Sequence, residues 1–347
     1  MYKTSLVITT INKPNKNLKE YAKGCKQKKW EFIIIGDKKT PSNFKLKNSL
    51  FLDYKKKIKG LNFISTCPIN SYSRKNIGYL IAIKKNSEVI IETDDDNLPL
   101  SNFFKPFKLY EKAKTISKND WINICNYFFN IKPNTSIWPR GLPLDKIIKN
   151  NSEKILKSSN KKILINHSLC NGNPDVDAIF RLMNKSKDNI KFLPNKKYFI
   201  SKKSICPFNS QSTIWYKDAF PLLYLPTYCS IRSTDIWRGL IAQIILKNDN
   251  QNILFSSPIV FQKRNKHDLL LDFKNEIPVY LNNKIIIEIL KKIKLKKGKD
   301  KYLTNLKLCY LELIKNKIFP KKELKILNVW IKDLVFIRKS SANVFIK

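Results

Sequence analysis

A chain of 347 residues that is 43% hydrophobic can bury a substantial core, so its formal net charge of +40 does not mark a disordered polycation. The lysines run the whole length and gather in no arm, which reads as compositional drift and not as a nucleic-acid surface. Seven cysteines without a Cys-x-x-Cys pair argue against a disulfide framework or zinc site, and two histidines, His167 and His267, exclude a His-rich metal centre.

In chain order, strand and helix signals alternate through the first half, which predicts an α/β fold with a Rossmann-type, mostly parallel sheet flanked by helices. Ser5 to Thr10 is a β-branched strand, and Leu18 to Cys25 a helix. Glu31 to Ile35 is a buried strand closed by Gly36-Asp37, and Ser49 to Leu52 a short one. Arg74 to Lys85 has helical apolar spacing, and Glu88 to Glu92 is the next strand. Trp121 to Phe129 reads as a strand or strand pair, and Lys149 to Lys162 as a polar surface insertion. Asp175 to Leu182 and Ser233 to Leu246 read as helices, and residues 281 to 347 as two or three more. The expected division is a catalytic-type domain over 1–265 and a helical extension over 266–347. Thr4 to Thr9 reads as strand, so no leader is expected, and the sequence has no apolar run of bilayer length. A cytoplasmic location is expected, with peripheral attachment to an anionic inner membrane face as an option.

The densest chemistry lies where the apolar strand Val89-Ile90-Ile91 runs into Asp94-Asp95-Asp96. Carboxylates at the carboxyl end of an α/β strand face the ligand crevice, and hard oxygen ligands suit Mn²⁺ or Mg²⁺. If the chain stays extended, Asp94 and Asp96 share one side and become the metal ligands, whereas a bend at Thr93 would bring Asp95 to the metal instead. Ser71 or Ser73 would cap a helix whose first turn holds Arg74 and Lys75, cations tolerable there beside a phosphate. Thr9, Thr10, Asn12 and Asp37 follow the first two strands, where nucleosides are cradled. Asp235 is a candidate general base with Arg238 one turn on, and Trp237 offers an aromatic face to a sugar. Asp175 and Asp177 would initiate a helix, contact acceptor hydroxyls or pair with Arg140. His267 reads as a surface residue.

Several of these stretches together resemble the STELLO family of glycosyltransferases: Val7-Ile8-Thr9-Thr10-Ile11-Asn12, Ile34-Ile35-Gly36-Asp37-Lys38-Lys39-Thr40-Pro41, Ser71-Tyr72-Ser73-Arg74-Lys75-Asn76-Ile77-Gly78-Tyr79 and Thr93-Asp94-Asp95-Asp96-Asn97. So do Asp175-Val176-Asp177-Ala178 and Thr234-Asp235-Ile236-Trp237-Arg238-Gly239, with the matches in order over roughly residues 5 to 245. A more distant similarity is to reversibly glycosylated polypeptides, the UDP-arabinose mutases. The resemblance implies a GT-A-type fold with the aspartate run as its DxD-type metal motif. It implies a hexosyl- or pentosyltransferase of polysaccharide biosynthesis, with a nucleotide-diphosphate sugar and a glycan acceptor as partners. Thr9, Thr10, Asn12, Asp37, Arg74, Asp94 and Asp95 would bind donor, and Asp175, Asp177 and Trp237 acceptor. Asp235 and Arg238 would be catalytic, and Asp94 and Asp96 would hold the metal. The competing readings are a nucleotide-sugar mutase or nucleotidyltransferase on a similar fold, and a basic nucleic-acid-binding protein, the last disfavoured because the most distinctive stretches carry aspartate.

Overall fold

Strand β1 (Thr4–Thr10) is the axis of the first half, with β2 (Glu31–Gly36) and β4 (Val89–Thr93) parallel to it on either side. All three are buried on both faces, which is why they read as continuous apolar runs. The computed structural model describes residues 2–129, 136–148, 153–184, 189–263 and 268–342. In chain order the remaining elements begin with α1 (Lys16–Lys28), β3 (Leu50–Leu52), α2 (Phe63–Thr66) and α3 (Lys75–Lys84). Then come β5 (Asn97–Pro99), β6 (Tyr110–Ser117), β7 (Lys154–Gly172), α4 (Ala178–Met183), β8 (Lys197–Ile200) and β9 (Ser212–Tyr216). The chain continues through α5 (Thr234–Asn248) and β10 (Asn252–Gln262) to α6 (Leu269–Lys291), α7 (Tyr302–Lys315) and α8 (Lys322–Ala342).

The strands form one sheet in the order β3-β2-β1-β4-β9-β7-β6-β8-β10-β5, with β7 also paired to β10. Its first four strands are parallel; beyond β4 the pairing is mixed, with β9 antiparallel to both β4 and β7. Helices flank the sheet, the α/β architecture expected of a GT-A-type fold. Strand alternation sorts the core into two layers. Leu6 and Ile8 pack with Leu18 and Tyr21 of α1, while Val7 faces Ile77 and Leu80 of α3. Gly78 permits that second contact, since a Cβ there would meet Val7 Cγ1 at 2.4 Å.

Two segments depart from the sequence expectation. Trp121 to Phe129 holds a 3₁₀ turn at Ile124–Tyr127 and no strand pair. Asn123 sets that turn by accepting from Cys125 N–H while its amide donates to the carbonyls of Ile137 and Ile147. The polar insertion is largely strand: from Lys154, β7 pairs antiparallel with β6. Its exposed Lys and Ser side chains hide the pattern, because an open face supplies no apolar alternation.

Among the described residues the predicted C-terminal helices are three, beginning earlier than expected, at Leu269. They share one apolar cluster with α3 and α5, so residues on both sides of position 265 build the same core. Trp330 packs edge-on against Phe63, and Trp237 against Phe319. Buried Glu323 accepts the N–H groups of Thr227 and Tyr228, and Asp333 that of Phe63. Among the described residues no helix is long and apolar enough to cross a membrane.

Candidate active site

The sheet's strand order runs outward in opposite directions from the β1–β4 boundary, the switch point where α/β sheets leave a crevice beyond their carboxyl ends. A cavity of about 540 Å³ opens there. All seven predicted donor residues, Thr9, Thr10, Asn12, Asp37, Arg74, Asp94 and Asp95, line it, as do Asp96, Asp175 and Asp235. Asp177, Trp237 and Arg238 do not.

The aspartates sit on a turn, closed by Asn97 N–H donating to the Asp94 carbonyl, and not on extended chain. Strand alternation therefore does not set their directions, and each has its own partners. Asp94 Oδ1 accepts from Lys75 Nζ at 2.9 Å and Tyr72 O–H at 3.1 Å, leaving Oδ2 without a partner among the described residues. Asp95 Oδ2 accepts from Thr10 O–H at 2.5 Å and Asn12 Nδ2 at 3.0 Å, which ties the turn to the loop after β1. Asp96 Oδ2 accepts from Gln262 at 2.7 Å, while its Oδ1 is buried with no partner. Burial, reinforced by the neighbouring Asp94 charge, pushes the Asp96 carboxyl up to about 7.

Lys75 is fully buried and donates to Thr93 O, Tyr72 Oη and Asp94 Oδ1. Its charge is balanced by Asp94, so no phosphate is needed to explain a cation in this first turn. Neither Ser71 nor Ser73 caps α3; a 3₁₀ turn, Tyr72–Arg74, leads into it, and the two serine hydroxyls bond each other. Asp37 is a brace: its carboxylate accepts the N–H groups of Lys38, Asn70 and Ser71 at 2.7–3.0 Å. Arg74 is 3% exposed, with Nε donating to Gly36 O and lying 3.9 Å from Asp37. Its two terminal guanidinium nitrogens have no hydrogen-bond partner among the described residues, and the residue lines the cavity. A cavity-lining guanidinium with unused donors is a site for an anion.

The opposite wall is a charge stack that sequence reading touched only in part. Arg140 Nε donates to both oxygens of Asp175 at 2.9 Å, while Nη1 and Nη2 each reach Asp235 at 3.0 Å. Asp235 also accepts from Ser210 N–H and O–H. Burial alone would raise Asp235, but Arg140 and these donors hold it well below the usual carboxylate range. A carboxylate so fully supplied is a poor proton acceptor, so this geometry does not suit Asp235 as a base. Asp175 is held down in the same way by Arg140 and Arg232 against its burial. Tyr72 links the two walls, since its hydroxyl also bonds Ser210 Oγ.

Three sequence candidates serve packing instead. Arg238 pairs with Glu92 behind the cavity, its guanidinium over the Trp215 ring. Trp237 is buried against the C-terminal helices, donating to Asn283. Asp177 caps α4 through Phe180 N–H and accepts from Trp138. His267 lies outside the described residues. Residues missed in the sequence are Tyr72, Gln211 and Gln262; the polar run Asn209-Ser210-Gln211 just before an apolar strand was the available signal.

Fold and site together define an α/β protein with a crevice at a switch point, lined by carboxylates and by Arg74. The family model for STELLO glycosyltransferases matches residues 232–345. Probable glycosyltransferase STELLO1 of Arabidopsis thaliana is 28% identical over 257 residues, covering 70% of this chain and 33% of that protein. Probable glycosyltransferase STELLO2 of the same plant is 24% identical over 351 aligned positions, covering 96% and 44%. The chain is thus similar to the STELLO glycosyltransferases, and it spans less than half the length of either curated protein. A solved structure described as a mycobacterial protein aligns over 81% of this chain and 74% of its own, with a TM-score of 0.40 and 8% identity.

Proposed function

We propose that the chain is a glycosyltransferase moving a hexosyl or pentosyl group from a nucleotide-diphosphate sugar to a glycan hydroxyl. The observation that carries this is Arg74: a guanidinium whose two terminal nitrogens have no partner among the described residues, lining one crevice with the three aspartates Asp94, Asp95 and Asp96. The relatives' names agree with it. Thr9, Thr10 and Asn12 border the nucleoside end of the crevice, while Arg74 binds the diphosphate and stabilises its charge as the sugar C1–O bond breaks. Asp175 and Arg232 line the acceptor end, and Arg140 keeps the Asp175 and Asp235 carboxylates in place.

A divalent ion fits the residues present. Asp96 Oδ1 is a buried oxygen lacking a partner and Asp94 Oδ2 is free, both hard donors suited to Mn²⁺ or Mg²⁺. Among the described residues no set of three His, Cys, Asp or Glu side chains forms a metal site, so substrate oxygens would complete the shell. Held there, the ion would supply Lewis-acid neutralisation of the leaving diphosphate. Because Asp96 must lose its proton to bind a cation, Mn²⁺ affinity should rise with pH through about 7. Calorimetric titration of Mn²⁺ at pH 6 and pH 8 checks this; equal affinity removes Asp96 from the ligand set.

The function is tested with Mn²⁺ across a panel of nucleotide sugars, identifying products so that transfer, hydrolysis, diphosphate release and ring contraction are told apart. Turnover should fall at least ~10²-fold in Asp94→Ala/Asp96→Ala. Unchanged turnover and donor binding in that variant would sink the site assignment.

A further inference from the structure

We propose that the outer face of α6 docks on an anionic lipid surface, independently of the sugar-transfer reading. The inner face of α6 buries Glu276, Val279, Asn283, Ile286, Ile287 and Leu290. At about 100° per residue, Leu270, Ile277, Leu281 and Ile285 fall on the opposite side. They are exposed, Leu270 by 69%, Leu281 by 65% and Ile285 by 46%. A helix apolar on both faces is not a solvated surface helix; its second face belongs against something. The patch continues sideways. Lys284 Nζ bonds Asp145 at 2.7 Å, bringing the 144–148 segment alongside, and that segment exposes Leu144 and 80% of Ile148. Single exposed apolar residues need no explanation, but six on one side do.

Charge selects the occupant. Lys274 lies within the stripe, and Lys291 and Lys292 stand at its C-terminal end. Of the acids on this side, Asp145 is neutralised by Lys284, which leaves Glu288. A second copy would bring one +40 chain against another, whereas an anionic bilayer attracts the field and accepts the leucines below its headgroups. Lysine stems can lie along such an apolar stripe with their ammonium groups among the headgroups. The surface is fixed to the cavity. Ser230 Oγ donates to Asn275 O and Arg232 pairs with Glu276, so exposed Ile231, on the cavity rim, sits beside α6.

The test is co-sedimentation of the full chain with vesicles of phosphatidylcholine alone or mixed with phosphatidylserine. Binding should require phosphatidylserine and weaken with salt. Leu281→Glu/Ile285→Glu, surface changes whose retained fold is checked by circular dichroism, should reduce partitioning at least about tenfold. Lys291→Gln and Lys292→Gln should each reduce it about fivefold. No binding, equal binding to neutral vesicles, or full binding by the glutamate variant overturns the proposal. A concentration-dependent dimer that the glutamate variant abolishes also overturns it, by assigning the face to a second copy.

Discussion

Arg140→Met should destabilise the protein by about 3–5 kcal/mol at neutral pH, because it removes the guanidinium that two buried carboxylates share. Arg140 is buried between Asp175 and Asp235 and uses every face of its guanidinium: Nε and Nη2 on Asp175, Nη1 and Nη2 on Asp235, and Nη1 on the Arg232 carbonyl. Asp175 keeps Asn209 and Arg232, and Asp235 keeps Ser210, so both stay in place but lose most of their positive field. The pH dependence has a definite sign. In the native protein both carboxyls sit below their ordinary values, so their contribution is complete above the unfolded carboxylate range and fades as pH falls towards the folded values. Without Arg140, burial dominates and raises them, so the variant is penalised for ionising them. The gap between native and variant should therefore be widest near pH 7 and narrow towards pH 4.5, as urea midpoints at the two pH values will show. Adding Asp235→Asn to the variant should recover part of the loss at pH 7. A loss of the same size at both pH values would show that Arg140 acts through packing alone.

That stack also explains which parts of the molecule could be read from sequence. Val89 to Ile91 and Ile33 to Ile35 were legible because central parallel strands are buried on both faces and show no polar alternation. The aspartates were legible because they follow such a strand directly. The Lys154–Ser159 stretch was not, since backbone pairing with β6 needs no apolar side chains. Partners separated by tens of residues were the least visible. Asp235 beside Ser233 and Thr234 looks like a helix start with a spare carboxylate; only the arrival of Arg140, from a loop 95 positions earlier, shows it to be occupied. Arg238 and Trp237 share that helix, yet α5 is buried all round, so their neighbours in sequence say nothing about which of them reaches the crevice.

The largest effect behind the site is expected at Arg238. Glu92 is completely buried on β4 and accepts four hydrogen bonds: from Arg238 Nη1 at 2.9 Å and Nη2 at 2.7 Å, from Trp215 Nε1 at 2.7 Å and from the Tyr79 hydroxyl. Arg238→Met leaves a buried carboxylate on two neutral donors and should cost about 3–5 kcal/mol. Arg238→Met/Glu92→Leu removes both charges and should regain most of that loss, since an apolar pair of similar volume is often no worse than a buried ion pair. Glu92 stands on β4 two positions before Asp94, which begins the turn after that strand, and Arg238 one turn after Asp235 on α5. The pair therefore sets the spacing between the two walls of the crevice from behind. The double variant should be stable yet weakened in turnover, because Tyr79 and Trp215 lose their acceptor and the β4–α5 spacing is then set by packing alone. Denaturation of the two variants beside their donor hydrolysis separates the effects. If the double variant is no more stable than Arg238→Met, Glu92 is not the uncompensated charge. If it recovers both stability and full turnover, the pair has no part in positioning the aspartates.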